Sequence, residues 1–334
     1  MSPLLEVRDL QVRFPLAREG WTPWAPRRFV HAVSGISLQL DAGETLAIVG
    51  ESGCGKSSLA RALIGLNPVE AGSIHFRGRE LAGAGAKDWQ SLRSAIQMVF
   101  QDPLSSLDPR MSIGQAIAEP LQAQRPQLGT DAVRERVMRM AQRVGVPAGL
   151  LNRYPHEFSG GQCQRVGIAR ALIVEPELLI CDEPVSALDV SIQAQILNLL
   201  REIQQEDGLA MLFIAHDLAV VRHLADRVLV MYLGRGMEHA PCEKLFGQPA
   251  HPYTEALLAA APIPDPRSAR AANRPALSGE LPSPVSPPSG CVFRTRCPQA
   301  EAACSVGIPA PLGQPQAWAA CIKPRLYPAR QATP

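Results

Sequence analysis

The run Gly50-Glu-Ser-Gly-Cys-Gly-Lys-Ser57 fits the pattern G-x-x-x-x-G-K-[ST]. Its glycines let successive backbone N–H groups turn inward around a phosphate without a side chain in the way. Lys56 can bridge β- and γ-phosphates, and the Ser57 hydroxyl can ligate Mg²⁺. The loop follows the apolar run Thr45–Val49 and precedes a helical spacing over Lys56–Leu66, so a helix would aim its positive end at the same anion. Gly50, Glu51, Ser52, Gly53, Cys54, Gly55, Lys56, Ser57 and Ser58 are therefore the candidate ATP-binding residues.

A second signal is the strand Leu178-Leu-Ile-Cys-Asp182-Glu183, which ends in two acids. If the strand persists, they point to opposite sides and need not share a task. Asp182 suits the Mg²⁺ shell, with Ser57, and Glu183 suits a general base for the attacking water. Ser159-Gly-Gly-Gln162 stands just before a helical run; Ser159 can cap that helix while Gly160 and Gly161 expose its N–H groups as a second anion site. Gln101 follows the apolar Met98-Val-Phe, and His216 follows Leu212-Phe-Ile-Ala. Each of these three alone reads as an ordinary cap or loop residue. Their weight comes from occurring together with the phosphate loop.

These residues need a scaffold, and the composition allows one. The chain has 334 residues, 46% hydrophobic and 19% charged, which is enough for a real core. Its formal net charge of +2 offers no strong electrostatic attraction to nucleic acid. Apolar stretches such as 210–215 and 256–264 fall short of the ~18 to 20 residues of a spanning helix. Glu6 and Asp9 leave no room for a signal peptide, so a cytosolic chain is expected. Strands at Leu178–Cys181, Met211–Ala215 and Val228–Tyr232 alternate with helices, which predicts an α/β fold with a mainly parallel sheet. Residues from about 89 to 176 read as a helical subdomain inside a nucleotide-binding domain over 1–258. A Pro-rich linker over 259–289 and a Cys-rich C-terminal domain over 290–325 complete the expected organisation, with no internal repeat.

The order Gly50–Ser57, Gln101, Ser159–Gln162, Asp182–Glu183, Ser186-Ala-Leu-Asp189 and His216 resembles the ABC-type ATPases, a branch of the P-loop NTPases, over about residues 4–246. The resemblance implies that Ser159–Gln162 contacts the γ-phosphate of ATP held by a partner subunit, with Asp189 across the same interface. It implies that Gln101 senses Mg²⁺ and the attacking water and that His216 holds the γ-phosphate. Phe14 resembles the aromatic that stacks on adenine; Phe29 is second, and a core aromatic is the bland alternative for both. Phe158 and Cys163 depart from the common signature surroundings without removing a phosphate contact.

His251-Pro-Tyr-Thr254, Ser278-Gly-Glu-Leu-Pro-Ser-Pro284 and Gly290-Cys291 resemble the C-terminal region of dipeptide and oligopeptide importer ATPases. The loop over 15–30 is similar to the second of the two ATPase subunits of such systems. This closer resemblance implies a heterodimer at the cytoplasmic face of the inner membrane, with two membrane-spanning permease subunits and a substrate-binding protein outside. The segment Asp102–Asp108 is expected, again by resemblance, to line the groove for the permease's coupling helix. Importers of nickel or glutathione are similar here. A DNA- or ribosome-acting ABC ATPase would call for a basic stripe or a coiled-coil insertion, and a small-molecule phosphotransferase would leave Ser159–Gln162, Asp189 and His216 without purpose.

Cys291, Cys297, Cys304 and Cys321 cluster on a Pro-rich segment with little core of its own, where a metal staple is common. No C-x₂-C spacing is present, and Pro298 follows Cys297 directly. A [4Fe–4S] cluster ranks first, zinc second and free buried thiols third. Cys54 and Cys181 are expected to pack or line the loop, with oxidation sensitivity of the ATP site as the alternative for Cys54.

Overall fold

The computed structural model describes residues 2–16, 27–260 and 279–325. Most of the loop over 15–30 and the middle of the Pro-rich linker lie outside the described residues. The strands are β1 (Leu5–Pro15), β2 (Phe29–Leu40), β3 (Thr45–Val49), β4 (Ala71–Phe76), β5 (Arg79–Glu80), β6 (Ile96–Val99), β7 (Leu178–Asp182), β8 (Ala210–Ala215), β9 (Arg227–Tyr232), β10 (Arg235–Pro241), β11 (Leu312–Gln314) and β12 (Ala317–Ala319). The helices are α1 (Lys56–Leu63), α2 (Ala86–Leu92), α3 (Ile113–Gln124), α4 (Thr130–Arg143), α5 (Gly160–Leu172), α6 (Val190–Asp207), α7 (Leu218–Leu224), α8 (Cys242–Gly247) and α9 (Pro252–Ala260).

Five strands run parallel in the order β9-β3-β8-β7-β6. They are continuous apolar runs because both faces are covered. Leu46, Ile48, Ile180, Leu212 and Ile214 face one core, shared with α1 and the β1/β2/β4 sheet. Ala47, Val49, Leu179, Cys181 and Phe213 face the other, shared with α3, α4, α5 and α6. The period of two along each strand sorts them.

The sheet is less uniformly parallel than expected. The connection Leu233–Gly234 between β9 and β10 is two residues with φ of 44° and 74°. So short a link joins strands only antiparallel. β12 and β11 then continue that antiparallel edge, and β2-β1-β4-β5 forms a separate antiparallel sheet. The helical stretch is likewise interrupted: β6 joins the main sheet, and Trp89 on α2 packs on the α1 side.

The Cys-rich segment is not a separate small domain. β12 pairs with β10 through Glu238↔Ala319 and His239↔Trp318. Cys291, Val292, Phe293 and Cys304 belong to the larger core, and the Pro284 carbonyl accepts from the His31 N–H at 3.0 Å. A stretch so poor in apolar residues gains stability by sharing a core rather than building one.

Candidate functional site

The carboxyl ends of β3, β8, β7 and β6 lie side by side, and each delivers one of the expected groups. This is where ligands bind in open α/β sheets. Gly50 follows β3, His216 follows β8, Asp182 closes β7, and Gln101 comes two residues after β6.

The loop from Gly50 has no room for side chains at two points. A Cβ on Gly50 (φ +156°) would stand 2.1 Å from the Met231 carbonyl oxygen, and one on Gly55 (φ +105°) 1.9 Å from that of Ala32. Gly55 is also the N-cap of α1 and offers no side-chain acceptor, so the first N–H groups of the helix are left for an anion. Lys56 is buried, and its ammonium donates to the carbonyls of Gly50 (2.9 Å) and Glu51 (3.1 Å). Cys54 is only 1% exposed, packed as expected, and burial pushes its thiol pKa up against the opposing effect of Lys56.

Ser57 Oγ donates to Asp182 Oδ1 at 2.8 Å. Burial raises the Asp182 carboxyl above its ordinary range, with the Ser57 hydrogen bond and nearby Arg61 opposing it. Hydroxyl and carboxylate make a hard oxygen pair that fits Mg²⁺, an ion held by one or two carboxylates plus substrate phosphates.

β7 does not persist through both acids. The strand stops at Asp182, and Glu183 sits at φ +48°, an uncommon left-handed conformation for this residue type. The turn presents Oε2 to Gln101 Nε2 (3.2 Å) and to His216 Nδ1 (3.3 Å), while Oε1 stands 3.9 Å from Lys56 Nζ. One carboxylate thus brings together Gln101, His216 and the loop lysine.

Ser159 caps α5: Ser159 Oγ accepts from the Gln162 N–H (3.4 Å) and Gln162 Oε1 accepts from the Ser159 N–H (3.0 Å). Gly160 and Gly161 lie against Leu188 and Ile192, beside the exposed Asp189, which occupies the N-cap position of α6 without a side-chain capping bond. Among the described residues neither Ser159–Gln162 nor Asp189 bonds to the Gly50–Ser57 loop, so the structure does not bring the two groups together within one chain. Val190 beside them is 81% exposed, an apolar side chain on an open face. Phe14 is half-buried against the core under the β1/β2/β4 sheet, and the Arg13 guanidinium lies 4.5 Å over the Phe29 ring.

Two contacts to the loop were not anticipated. Glu51 Oε2 and Oε1 accept from Arg296 Nη1 (2.6 Å) and Nη2 (3.0 Å). The Glu51 N–H donates to Tyr253 Oη at 3.0 Å. No spacing in a single sequence links positions 51, 253 and 296. The only signal was that His251-Pro-Tyr-Thr and Gly290-Cys291 stand out as motifs resembling peptide-importer ATPases, with no role toward the loop.

Cys291, Cys297, Cys304 and Cys321 line one cavity of about 420 Å³. Among the described residues no three Cys, His, Asp or Glu side chains form a set that would hold a metal ion, so the expected metal centre, cluster or zinc, is not found ready-made. Each thiol nonetheless meets a backbone N–H. Glu301 and Lys323 donate to Cys304 Sγ (3.5 Å) and Cys321 Sγ (3.4 Å). Those of Phe293 and Gln299 oppose the upward push of burial on Cys291 and Cys297.

With this geometry in view, the comparisons with known proteins are specific. The ABC transporter family profile matches residues 33–186, and that of the oligopeptide/dipeptide transporter C-terminal region matches 237–304. The oligopeptide transport ATP-binding protein OppF of Salmonella typhimurium is 55% identical over 320 residues, covering 96% of both chains. OppF of Haemophilus influenzae is 54% identical over 96% of this chain and 97% of its own. Putative oligopeptide transport ATP-binding protein YkfD of Bacillus subtilis is 48% identical over 92% and 91%. Among solved structures, cbiO1 from Clostridium perfringens, part of the ABC transporter complex cbiONQ, superposes with TM-score 0.62 at 31% identity, covering 74% of this chain and 92% of that one. The ATP-binding cassette MJ0796, in a dimeric post-hydrolysis state bound to ADP and Pi, shares the fold with TM-score 0.64 at 24% identity, over 71% of this chain and 98% of that one. The chain belongs to the ABC transporter family, as an ATP-binding protein of its oligopeptide/dipeptide branch.

Proposed function

We propose that the chain hydrolyses ATP to power oligopeptide import through a membrane transporter, with Glu183 as the general base. The observation that carries this is the meeting of Gln101, His216 and Lys56 on the Glu183 carboxylate, beside the Ser57–Asp182 pair. Lys56 and the N-terminus of α1 hold the triphosphate. Gln101 orients water toward Glu183, which takes its proton, and His216 steadies the γ-phosphoryl group. Mg²⁺ held at Ser57 and Asp182 would neutralise charge building up on the phosphate oxygens. Preorganised charge of this kind supplies most of the rate acceleration in phosphoryl transfer.

Ser159–Gln162 and Asp189 complete the site of a second ATPase subunit in a heterodimer, which accounts for their exposure and their lack of a partner in the loop of their own chain. Two permease subunits and an external substrate-binding protein complete the importer, with this chain peripheral at the cytoplasmic face of the inner membrane. No helix among the described residues is long and apolar enough to cross a membrane. A cavity of about 430 Å³ lined by Leu66, Trp89, Pro103, Ser106 and Arg170 accepts the permease's coupling helix beside Asp102–Asp108. Affinity purification from membranes tests the reading: two multi-spanning proteins and ATP-dependent peptide uptake should accompany the chain. Recovery with ribosomes or DNA would contradict it, and uptake of nickel or glutathione in place of peptides would move the substrate.

We propose further that the four C-terminal thiols hold an iron–sulfur cluster rather than a single zinc ion. They line one cavity, backbone N–H groups donate to the sulfurs of Cys304 and Cys321, and hydrogen bonds to sulfur are among the features that tune such clusters. Cys291, Cys297, Cys304 and Cys321 would hold a [4Fe–4S] cluster that staples the segment to the main core. Anaerobically purified protein should then contain iron and acid-labile sulfide in equal amounts, lost together in Cys297→Ser. Colourless protein without iron would rule the cluster out.

A further inference from the structure

Glu51 places a carboxylate inside a loop that receives a polyanion, an arrangement that needs compensation. The compensation comes from 245 residues away, where the Arg296 guanidinium forks onto both Glu51 oxygens at 2.6 and 3.0 Å. The Arg296 side chain is 7% exposed and that of Glu51 23%, so solvent and salt screen the pair poorly. Arginine stays charged and matches a carboxylate with two parallel hydrogen bonds.

The arginine is itself held in place. Its backbone N–H closes a turn onto the Phe293 carbonyl at 3.0 Å, and Nη1 donates to Tyr232 Oη at 3.4 Å. Phe293 packs edge-on against Tyr232 at 5.3 Å and tilted against Tyr253 at 5.1 Å between ring centres. Tyr253 in turn receives the Glu51 N–H. Tyr253 on α9 and Arg296 on the C-terminal segment therefore grip Glu51, the second loop residue, at its backbone and at its carboxylate, while Lys56 takes its carbonyl.

We infer that Arg296 is a positioning residue for the ATP triphosphate: it cancels the Glu51 charge and fixes the first turn of the phosphate loop. The inference rests on the reading of Gly50–Ser57 as the ATP loop. It gives the C-terminal segment a task at the nucleotide, not only at its own thiols.

The test is equilibrium binding of a fluorescent ATP analogue together with steady-state ATPase assays on the full-length chain in its assembled transporter. Arg296→Met should weaken ATP binding and raise KM by roughly tenfold to a hundredfold, since a displaced loop and a bare carboxylate both misplace the triphosphate. Turnover at saturating ATP should change by less than about twofold, because no group on the γ-phosphate is touched. Adding Glu51→Gln to Arg296→Met should recover most of the affinity; a merely structural arginine would show no such rescue. Wild-type affinity in Arg296→Met, or a double variant as weak as the single one, would overturn the inference. Should Arg296→Met not fold, Arg296→Lys carries the test beside Arg296→Gln. A loss clearly smaller than that of Arg296→Gln supports charge compensation, because lysine keeps the charge while losing the fork, and a loss as large as that of Arg296→Gln overturns it. Lys56→Ala separates the two readings. ATP binding that survives Lys56→Ala sinks the loop assignment itself, whereas binding lost there but intact in Arg296→Met sinks only the role of Arg296.

Discussion

Glu183→Gln is expected to bind ATP normally and to hydrolyse it roughly a hundred- to ten-thousandfold more slowly, the span that a positioned base contributes. Glutamine keeps the shape of the side chain and can still hydrogen-bond, so the loop and the Ser57–Asp182 pair stay as they are. What it loses is the ability to take a proton from water. Among the described residues Glu183 is also the one group that Gln101, His216 and Lys56 all approach. With hydrolysis stopped and ATP retained, the two ATPase subunits should accumulate as a closed pair. Phosphate release and size-exclusion chromatography with ATP read out both effects. Turnover at the wild-type rate would remove Glu183 from the role of base.

The second large effect is expected at Gly160→Asp. Gly160 opens α5, whose thirteen residues leave unpaired N–H groups and positive potential at that end. A carboxylate there would face the partner's triphosphate across the interface. Hydrolysis at that composite site should fall at least about a hundredfold, as when an anion-stabilising donor is removed from a site. ATP binding to the variant's own loop should be unchanged. The fold should tolerate the change, because a Cβ on Gly160 meets only Leu188 Cδ2 at 3.5 Å. Gly161 is a poorer choice: its Cβ would come within 2.5 Å of Ile192 Cγ2 and disturb packing. A Gly160→Asp subunit that supports full turnover would show that α5 does not face nucleotide.

The part of the site that was legible in the sequence obeys one rule. Gly50, Gln101, Asp182 and His216 each come at or just after the end of an apolar run, and parallel strands bring their carboxyl ends to one edge. Run, polar residue and helix are all local, so the pattern can be read without partners. The positive φ of Glu183 is not local in that sense. It depends on the N–H of Glu183 reaching the Ile214 carbonyl on a neighbouring strand. The antiparallel edge was hidden because the apolar, fully buried run Val228–Met231 of β9 reads the same whether its neighbour runs parallel or not. The C-terminal segment was misjudged as a domain because proline and cysteine content describes its composition, not the surface it rests on. Its attachment runs through Trp318 opposite His239 and Arg296 on Glu51, contacts made across more than 70 residues of chain. Pairings at that separation leave no periodic trace.

Nucleotide gripped by two subunits is the idea that the Glu183→Gln and Gly160→Asp results both presuppose. A structure of the ATP-loaded Glu183→Gln assembly tests it most directly. Ser159 Oγ and the N–H groups that open α5 should lie within hydrogen-bond distance of the γ-phosphate held by the loop of the neighbouring subunit. Nucleotide enclosed by one chain alone, with Ser159–Gln162 turned to solvent, would contradict it.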